Sequence, residues 1–155
     1  DVLAELTEEA EANEIDLVEQ VPADMILSAD QSLMTQLLLN LVENGIKYGK
    51  IEDPAYSLSG GNLQKTIVAR EMPEGGSITI DAEAPATLCI RDTGIGITAE
   101  DLPRIFDRFY RADQARDRSG SGLGLSIVKW IVELHGLEIQ VESERGKGTR
   151  FTIQI

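Results

Sequence analysis

Residues 37–50 read LLLNLVENGIKYGK and carry a set of polar side chains inside a predicted helix. Positions i, i+4, i+7 and i+8 share one helix face and hold Asn40, Asn44, Lys47 and Tyr48. A carboxamide oxygen can ligate a hard cation such as Mg²⁺, an ammonium can neutralise a phosphate, and a phenol ring can lie against a base. The pattern therefore predicts a binding face, and a polar stripe on an ordinary amphipathic helix is the alternative.

The rest of the chain predicts helices and short strands around this element. Asp30 is the predicted N-cap of the helix at 31–47, and further helices are predicted at 2–12 and 122–135, the last ended by Gly136. Strands are predicted at residues 15–18, 25–27, 77–80, 87–90, 138–141 and 149–155. Because short turns join several neighbouring strands, we expect a mixed sheet with helices on one face, an α+β fold of the two-layer α/β sandwich type.

Residues 91–97 read RDTGIGI and follow an apolar strand directly. An aspartate at a strand end, here Asp92, can accept a hydrogen bond from an exocyclic amine such as that of adenine. Gly94 and Gly96 allow backbone conformations closed to other residues and let a ligand approach the chain. A tight turn built from Asp and Gly is the alternative interpretation.

Residues 119–129 read SGSGLGLSIVK, a glycine-rich loop that opens a helix. Backbone N–H groups at such a helix start form an anion site. The spacing differs from the dinucleotide fingerprint and from a Walker A loop. Between this loop and RDTGIGI lies FDRFYR, residues 106–111, whose aromatic and arginine side chains suit a mobile lid over phosphate.

The 155 residues carry a net charge of −13, which argues against a nucleic-acid-binding surface. No apolar run approaches the roughly 18–20 residues of a membrane helix, so we expect a soluble piece of a longer protein without direct membrane contact. Five arginines nevertheless cluster within residues 104–118, which indicates either a site for a small anion or a solvated basic loop. The single cysteine, Cys89, lies in an apolar run and is predicted to pack in the core.

The four motifs, in this order and spacing, resemble the catalytic ATP-binding domain of bacterial sensor histidine kinases. That domain belongs to the GHKL superfamily, which includes gyrase, Hsp90 and MutL. The resemblance covers about residues 25–50 and 75–155, including the closing GKGTRFTI, and implies a single Bergerat-type ATP-binding domain over 1–155. It further implies ATP and Mg²⁺ as ligands and the cytoplasmic end of a membrane-bound sensor as the setting.

Carried over position by position, the resemblance implies individual roles. Asn44 would ligate Mg²⁺ with support from Asn40, Lys47 and Tyr48 would contact phosphate and nucleotide, and Asp92 would bind the adenine amine. The catalytic residues, which act on phosphate and metal, would be Asn40, Asn44 and Lys47. The remaining nucleotide contacts would come from the adenine pocket, the lid and the glycine loop: Gly94, Gly96, Ile97, Phe106, Arg108, Tyr110, Arg111, Gly120, Ser121, Gly122, Leu123, Gly124 and Leu125.

The chain departs from the family pattern in lacking the histidine that accepts the phosphate. In such kinases a histidine on a separate dimerisation domain accepts the phosphate, whereas His135 here stands where the family has a structural histidine. We therefore expect transfer to a partner domain, with a response regulator downstream. A nucleotide-gated interaction module that binds ATP without phosphotransfer is the alternative. Gly45 replaces the more usual alanine, at a cost of about 1 kcal/mol in helix propensity.

A second departure is the segment 51–74, which contains YSLSGGNLQKTIVARE. It resembles the signature motif and following helix of ABC-transporter ATPases, although the chain has no Walker A loop to partner it. Its removal would restore an ordinary kinase loop. We therefore interpret it as a graft, natural or engineered, into a permissive surface loop without ABC-type chemistry. A short amphipathic helix, with Leu63 and Ile67 packed on the domain, is the plainer interpretation of the segment.

Overall fold

The computed structural model describes residues 2–21, 29–48, 76–83, 87–112 and 121–154. The helices are α1 (Val2–Ala12), α2 (Gln31–Tyr48) and α3 (Gly124–Leu134), with a 3-10 turn at Leu102–Arg104. The strands are β1 (Ile15–Gln20), β2 (Gly76–Glu83), β3 (Thr87–Asp92), β4 (Glu138–Glu144) and β5 (Gly148–Gln154).

The strands form one mixed sheet in the order β1-β2-β3-β5-β4. β1 runs parallel to β2, and the other three pairings are antiparallel. The pairs β2–β3 and β4–β5 are each formed by strands that are neighbours in the sequence, as the short turns between them lead us to expect. Together with the helices this sheet confirms the predicted two-layer α/β sandwich.

The core lies between the helices and one face of the sheet. Ile80, Ile90 and Phe151 are cross-strand neighbours on that face, and all three are buried. Leu37 and Leu41 of α2 and Val128, Ile131 and Val132 of α3 cover them, each with at most 1% of its surface exposed. The apolar spacing of both helices therefore sets the side that faces the sheet. Cys89 is buried, as predicted, and no residue within the described ranges pairs with it covalently.

Several predicted boundaries are wrong for physical reasons. β2 extends to Glu83 rather than ending at residue 80, because Asp81 and Ala82 continue the ladder opposite Cys89 and Leu88. α3 begins at Gly124 rather than at residue 122, because Gly122 has a φ of +71°, which a right-handed helix does not accept. β4 likewise continues to Glu144 along its partner strand.

Some predicted features fall outside the described residues, namely the strand at 25–27 and the whole segment 51–74. Among the helices that the structure describes, none is long and apolar enough to cross a membrane.

Candidate functional site

A cleft of about 600 Å³ opens between α2, the loop after β3 and the start of α3. The chain segment 101–112 and the β4–β5 turn complete its walls. Each of the four motifs that carry the kinase resemblance contributes at least one residue to this cleft.

Asp92, the last residue of β3, lines the cleft. Its side chain is 9% exposed, and its Oδ1 accepts a hydrogen bond of 2.8 Å from the Gly94 N–H. Burial raises the pKa of Asp92 from 3.8 to about 6, while hydrogen bonds from the backbone at Gly94 and Thr149 oppose that rise. The site therefore keeps a desolvated carboxyl where a ligand can reach it.

The loop after Asp92 is held on both sides by backbone hydrogen bonds. The Ile95 N–H donates to the Tyr48 carbonyl at 3.0 Å, and the Gly146 N–H donates to the Ile95 carbonyl at 2.8 Å. Gly96 has a φ of +67°, and a Cβ there would lie 2.1 Å from the Glu144 carbonyl oxygen. Only glycine fits between the loop and the β4–β5 turn. Packing alone therefore accounts for a glycine at this position, whether or not a ligand approaches it.

Another part of the cleft lining joins the polar face of α2 to the start of α3. The Asn40 Nδ2 donates to the Gln36 carbonyl at 2.9 Å. A Cβ on Gly124 would lie 3.3 Å from the Asn40 Oδ1 and 3.7 Å from the Asn44 Nδ2. The two carboxamides therefore lie beside the N-terminus of α3, and a helix N-terminus favours anions.

Segment 105–112 forms the outer wall. Ile105 is buried in the core, whereas Phe109 has a φ of +62° and is 72% exposed. The Phe109 N–H donates to the Gly122 carbonyl at 2.9 Å, a contact we call the Phe109–Gly122 tie. A Cβ on Gly122 would lie 2.9 Å from the Phe109 carbonyl carbon, so the glycine loop packs directly on the segment.

The structure brings most of the predicted site residues to the cleft. The lining includes Asn40, Asn44, Lys47, Tyr48, Asp92, Gly96, Ile97, Tyr110, Arg111, Ser121, Gly122, Gly124 and Leu125. Gly94, Phe106, Arg108 and Leu123 do not line it. Gly94 acts through its N–H on Asp92, Phe106 packs against the core, and Arg108 lies in a shallow groove on the outer side of the segment. Gly120 lies outside the described residues.

The cleft also contains residues that the motifs did not indicate. They are Glu9, Asn13, Glu43, Thr98, Asp101, Arg145 and Thr149. Thr98 and Asp101 stand three positions apart and exchange side-chain hydrogen bonds, a spacing related to a capping box that could have indicated them. Arg145 reaches the cleft through the hairpin register, which no local pattern in the sequence reveals.

Within the described ranges no group of three or more His, Cys, Asp or Glu side chains could hold a metal ion. The carboxamide oxygens of Asn40 and Asn44 are neutral ligands of the kind Mg²⁺ accepts, and Mg²⁺ takes its remaining ligands from water and phosphate. This face of α2 therefore fits Mg²⁺ brought by a nucleotide better than a metal bound by protein alone.

His135 lies away from the cleft lining, and both of its ring nitrogens have partners. Its Nδ1 donates to the Ile131 carbonyl at 2.8 Å, and its Nε2 accepts from the Asp30 N–H at 3.3 Å. This geometry is that of a structural histidine joining α3 to α2.

Comparison with known proteins agrees with this architecture. Residues 29–155 match the family described as Histidine kinase-, DNA gyrase B-, and HSP90-like ATPase. The chain is similar to Sensor histidine kinase YkoH of Bacillus subtilis (strain 168), with 38% identity over 140 residues, 89% of this chain and 26% of YkoH. It is also 41% identical over 133 residues to Sensor protein SrrB of Staphylococcus aureus (strain NCTC 8325 / PS 47), covering 84% of this chain and 19% of SrrB. The chain thus spans about a quarter or less of these relatives.

Two solved structures share the fold. The mycobacterial sensor histidine kinase MprB superposes with a TM-score of 0.71 and 26% identity, covering 98% of this chain and 88% of that chain. Full-length ShkA superposes with a TM-score of 0.70 and 25% identity, covering 98% of this chain and 27% of that chain. Sequence match, fold and cleft agree: the chain belongs to the histidine kinase-, DNA gyrase B- and HSP90-like ATPase family, as a catalytic ATPase domain of the sensor histidine kinase type.

Proposed function

We propose that this chain binds ATP with Mg²⁺ in the cleft and donates the γ-phosphate to a histidine on a separate dimerisation domain. The observation that carries this proposal is the set of groups that line one cleft. These are a buried carboxyl, Asp92, and the carboxamides of α2 beside the N-terminus of α3. Such a lining suits a molecule that carries both an amine-bearing base and phosphates.

In this proposal Asp92 accepts a hydrogen bond from the adenine amine, and the Gly94 N–H holds its carboxyl in place. The α3 N-terminus and the cationic side chains of Lys47 and Arg111 neutralise the phosphates. Mg²⁺, held by Asn44 with support from Asn40, would offset charge on the phosphate oxygens. ADP leaves as the product.

The comparisons support the nucleotide class. The ShkA structure is described as a complex with AMPPNP, an analogue of ATP. The relatives YkoH and SrrB are named a sensor histidine kinase and a sensor protein, respectively. By analogy we propose a response regulator as the downstream partner and the cytoplasmic side of a membrane as the location of the parent protein.

Calorimetric titration with MgATP tests the binding step. We expect saturable binding by the intact chain and its loss in Asp92→Ala, while Asp107→Ala binds normally. Asp107 is a matched control because its carboxylate is exposed and lies outside the cleft lining. Equal binding by Asp92→Ala and Asp107→Ala would contradict the placement of adenine.

Labelled ATP tests the transfer step. The chain is incubated with the histidine-bearing domain of a cognate kinase, and a variant of that domain with its histidine replaced by glutamine is the control. Label on the histidine-bearing domain, and none on its glutamine variant, supports the kinase function. ATP-dependent association of the two proteins without label would instead favour the interaction module.

We further propose that segment 51–74 is a graft that takes no part in this chemistry. A chain that lacks these residues should bind MgATP with the affinity of the intact chain. A loss of binding on deletion would assign the segment a role at the site.

A further inference from the structure

We propose that Asp101 is a positioning residue whose carboxylate holds Tyr110, and through it Arg111, against the cleft. This inference rests on the proposed binding of ATP, and it assigns the residue that aligns one phosphate contact. The motif resemblance gave Asp101 no role.

The Asp101 carboxylate receives a hydrogen bond on each oxygen. The Tyr110 O–H donates to Oδ1 at 2.5 Å, and the Thr98 O–H donates to Oδ2 at 2.8 Å. The Asp101 N–H in turn donates to the Thr98 Oγ1 at 3.2 Å. These bonds, the one from Tyr110 foremost, hold the pKa of Asp101 below its usual range, so the carboxylate is ionised at neutral pH. We call the Asp101–Tyr110 hydrogen bond the clasp.

The clasp closes a short loop of chain onto the core. Between its two ends, Ile105 is buried, and Leu102 and Phe106 pack against the core cluster. The Arg104 Cζ lies 4.2 Å from the centroid of the Tyr110 ring, a cation–π contact on one face of that ring. The Tyr110 ring is therefore held by its hydroxyl and by one face at the same time.

The backbone next to Tyr110 is fixed as well. Phe109 is in the left-handed region and exposed, whereas its neighbour Tyr110 lines the cleft. The Phe109–Gly122 tie holds the backbone at this turn, and the clasp holds the side chain that follows. Since Arg111 is the next residue and also lines the cleft, the position of its guanidinium depends on both.

The cleft lining includes Thr98, Asp101 and Tyr110. The clasp therefore also joins the wall that contains Thr98 and Asp101 to segment 105–112, which carries Arg111. With the clasp formed, a side-chain hydrogen bond joins this wall to the segment that carries Arg111. Without it, the segment loses that hydrogen bond, and Arg111 samples more positions before it meets phosphate.

Hydrogen exchange of the chain without nucleotide tests the clasp itself. We expect faster exchange of the amides in 105–112 in both Tyr110→Phe and Asp101→Ala, and no further increase in the double variant. Glu100→Ala removes a neighbouring exposed carboxylate and is the matched control, with exchange like that of the unmodified chain. Unchanged exchange in Tyr110→Phe would overturn the proposal, whether or not the chain binds ATP.

Calorimetry with two ligands tests the consequence. Each single variant should bind MgATP about fivefold more weakly, with the double variant no weaker than either. Adenosine, which lacks phosphates, should lose less than about twofold, a difference that general damage to the fold would not produce. Equal losses for both ligands, or additive losses, would overturn the proposal. Failure of the unmodified chain to bind MgATP would instead refute the proposed function, and the exchange measurement would still decide the clasp.

Discussion

Asp92 is a residue at which the stability of the fold and the proposed binding of a ligand oppose each other. Its pKa in the folded chain is about 6, against an ordinary value of 3.8, because burial disfavours the charged form. The folded state thus holds the proton of Asp92 more tightly than the unfolded state does. The contribution of this protonated carboxyl to the free energy of unfolding is complete below pH 3.8 and is lost as the pH rises through 6. The difference corresponds to about 3 kcal/mol of destabilisation at pH 8.

We therefore expect Asp92→Asn to raise the free energy of unfolding by about 2 kcal/mol at pH 8 and by less as the pH falls below 6. Asparagine keeps an oxygen that can accept the Gly94 N–H, so the loop should retain its form. Urea unfolding between pH 5 and pH 8 measures the effect, with the exposed Asp107→Asn as the control. If Asp92→Asn were less stable than the unmodified chain at pH 8, burial of the Asp92 carboxylate would not be what destabilises the fold.

Gly45 illustrates how a residue with a low helix propensity can be required by packing. A Cβ at this position would lie 2.8 Å from the Ile78 Cδ1 and 3.0 Å from the Ile78 Cγ1. The gain of about 1 kcal/mol in helix propensity competes with overpacking that costs roughly 1–3 kcal/mol. We predict that Gly45→Ala is less stable by about 1 kcal/mol because Ile78 is fully buried.

In the background of Ile78→Val, Gly45→Ala should cost less than it does alone, since that substitution removes the Cδ1 atom that the new methyl group meets. Urea unfolding of the two single variants and the double variant forms the cycle. Additive effects would mean that the two side chains do not compete for the same space.

At the scale of elements, α2 and α3 are joined at their ends as well as through the core. The Asp30 Oδ1 accepts the Leu33 N–H at 2.9 Å and caps α2, while the Asp30 N–H donates to His135 at the end of α3. One residue thus serves both helices.

We predict that His135→Ala lowers the free energy of unfolding by about 1 kcal/mol and that Asp30→Ala lowers it by a similar amount. The losses in the double variant should be roughly additive, because Asp30→Ala removes the side-chain cap of the Leu33 N–H but keeps the backbone N–H that donates to His135. Thermal unfolding monitored by circular dichroism measures all three. Phosphotransfer to a partner domain should be unaffected by His135→Ala, and its loss would contradict the structural role.

The sequence predicted the elements well where one residue type controls a local event. Asp30 does cap α2, and Gly136, with a φ of +67°, does end α3. Strand lengths were underestimated because β2 and β4 continue along their partners after their own apolar pattern ends. Arg145 escaped prediction because its place at the cleft depends on the register of the β4–β5 hairpin, whereas the spacing of Thr98 and Asp101 is a local signal for Asp101.

At the scale of the whole molecule, the net charge of −13 acts against folding, because like charges repel in the compact state. We predict that raising NaCl from about 10 mM to about 200 mM increases the melting temperature of the chain at pH 7.5 by several degrees, since salt screens this repulsion. Near pH 5, close to the isoelectric point of about 4.4, the same change in salt should have little effect. Differential scanning fluorimetry measures both series, and a melting temperature that falls with salt at pH 7.5 would contradict the prediction.

The Phe109–Gly122 tie has a consequence for how such a domain can diversify. Because it is formed by backbone atoms of both residues, the two ends of the intervening stretch stay together whatever side chains lie between them. The entropy of closing a loop grows slowly with length, by about 0.6 kcal/mol for each doubling. Related domains can therefore differ in the length and composition of the part of this stretch beyond Ala112, each adapted to its own partner, while Tyr110, Arg111 and Ser121 keep their places in the cleft lining.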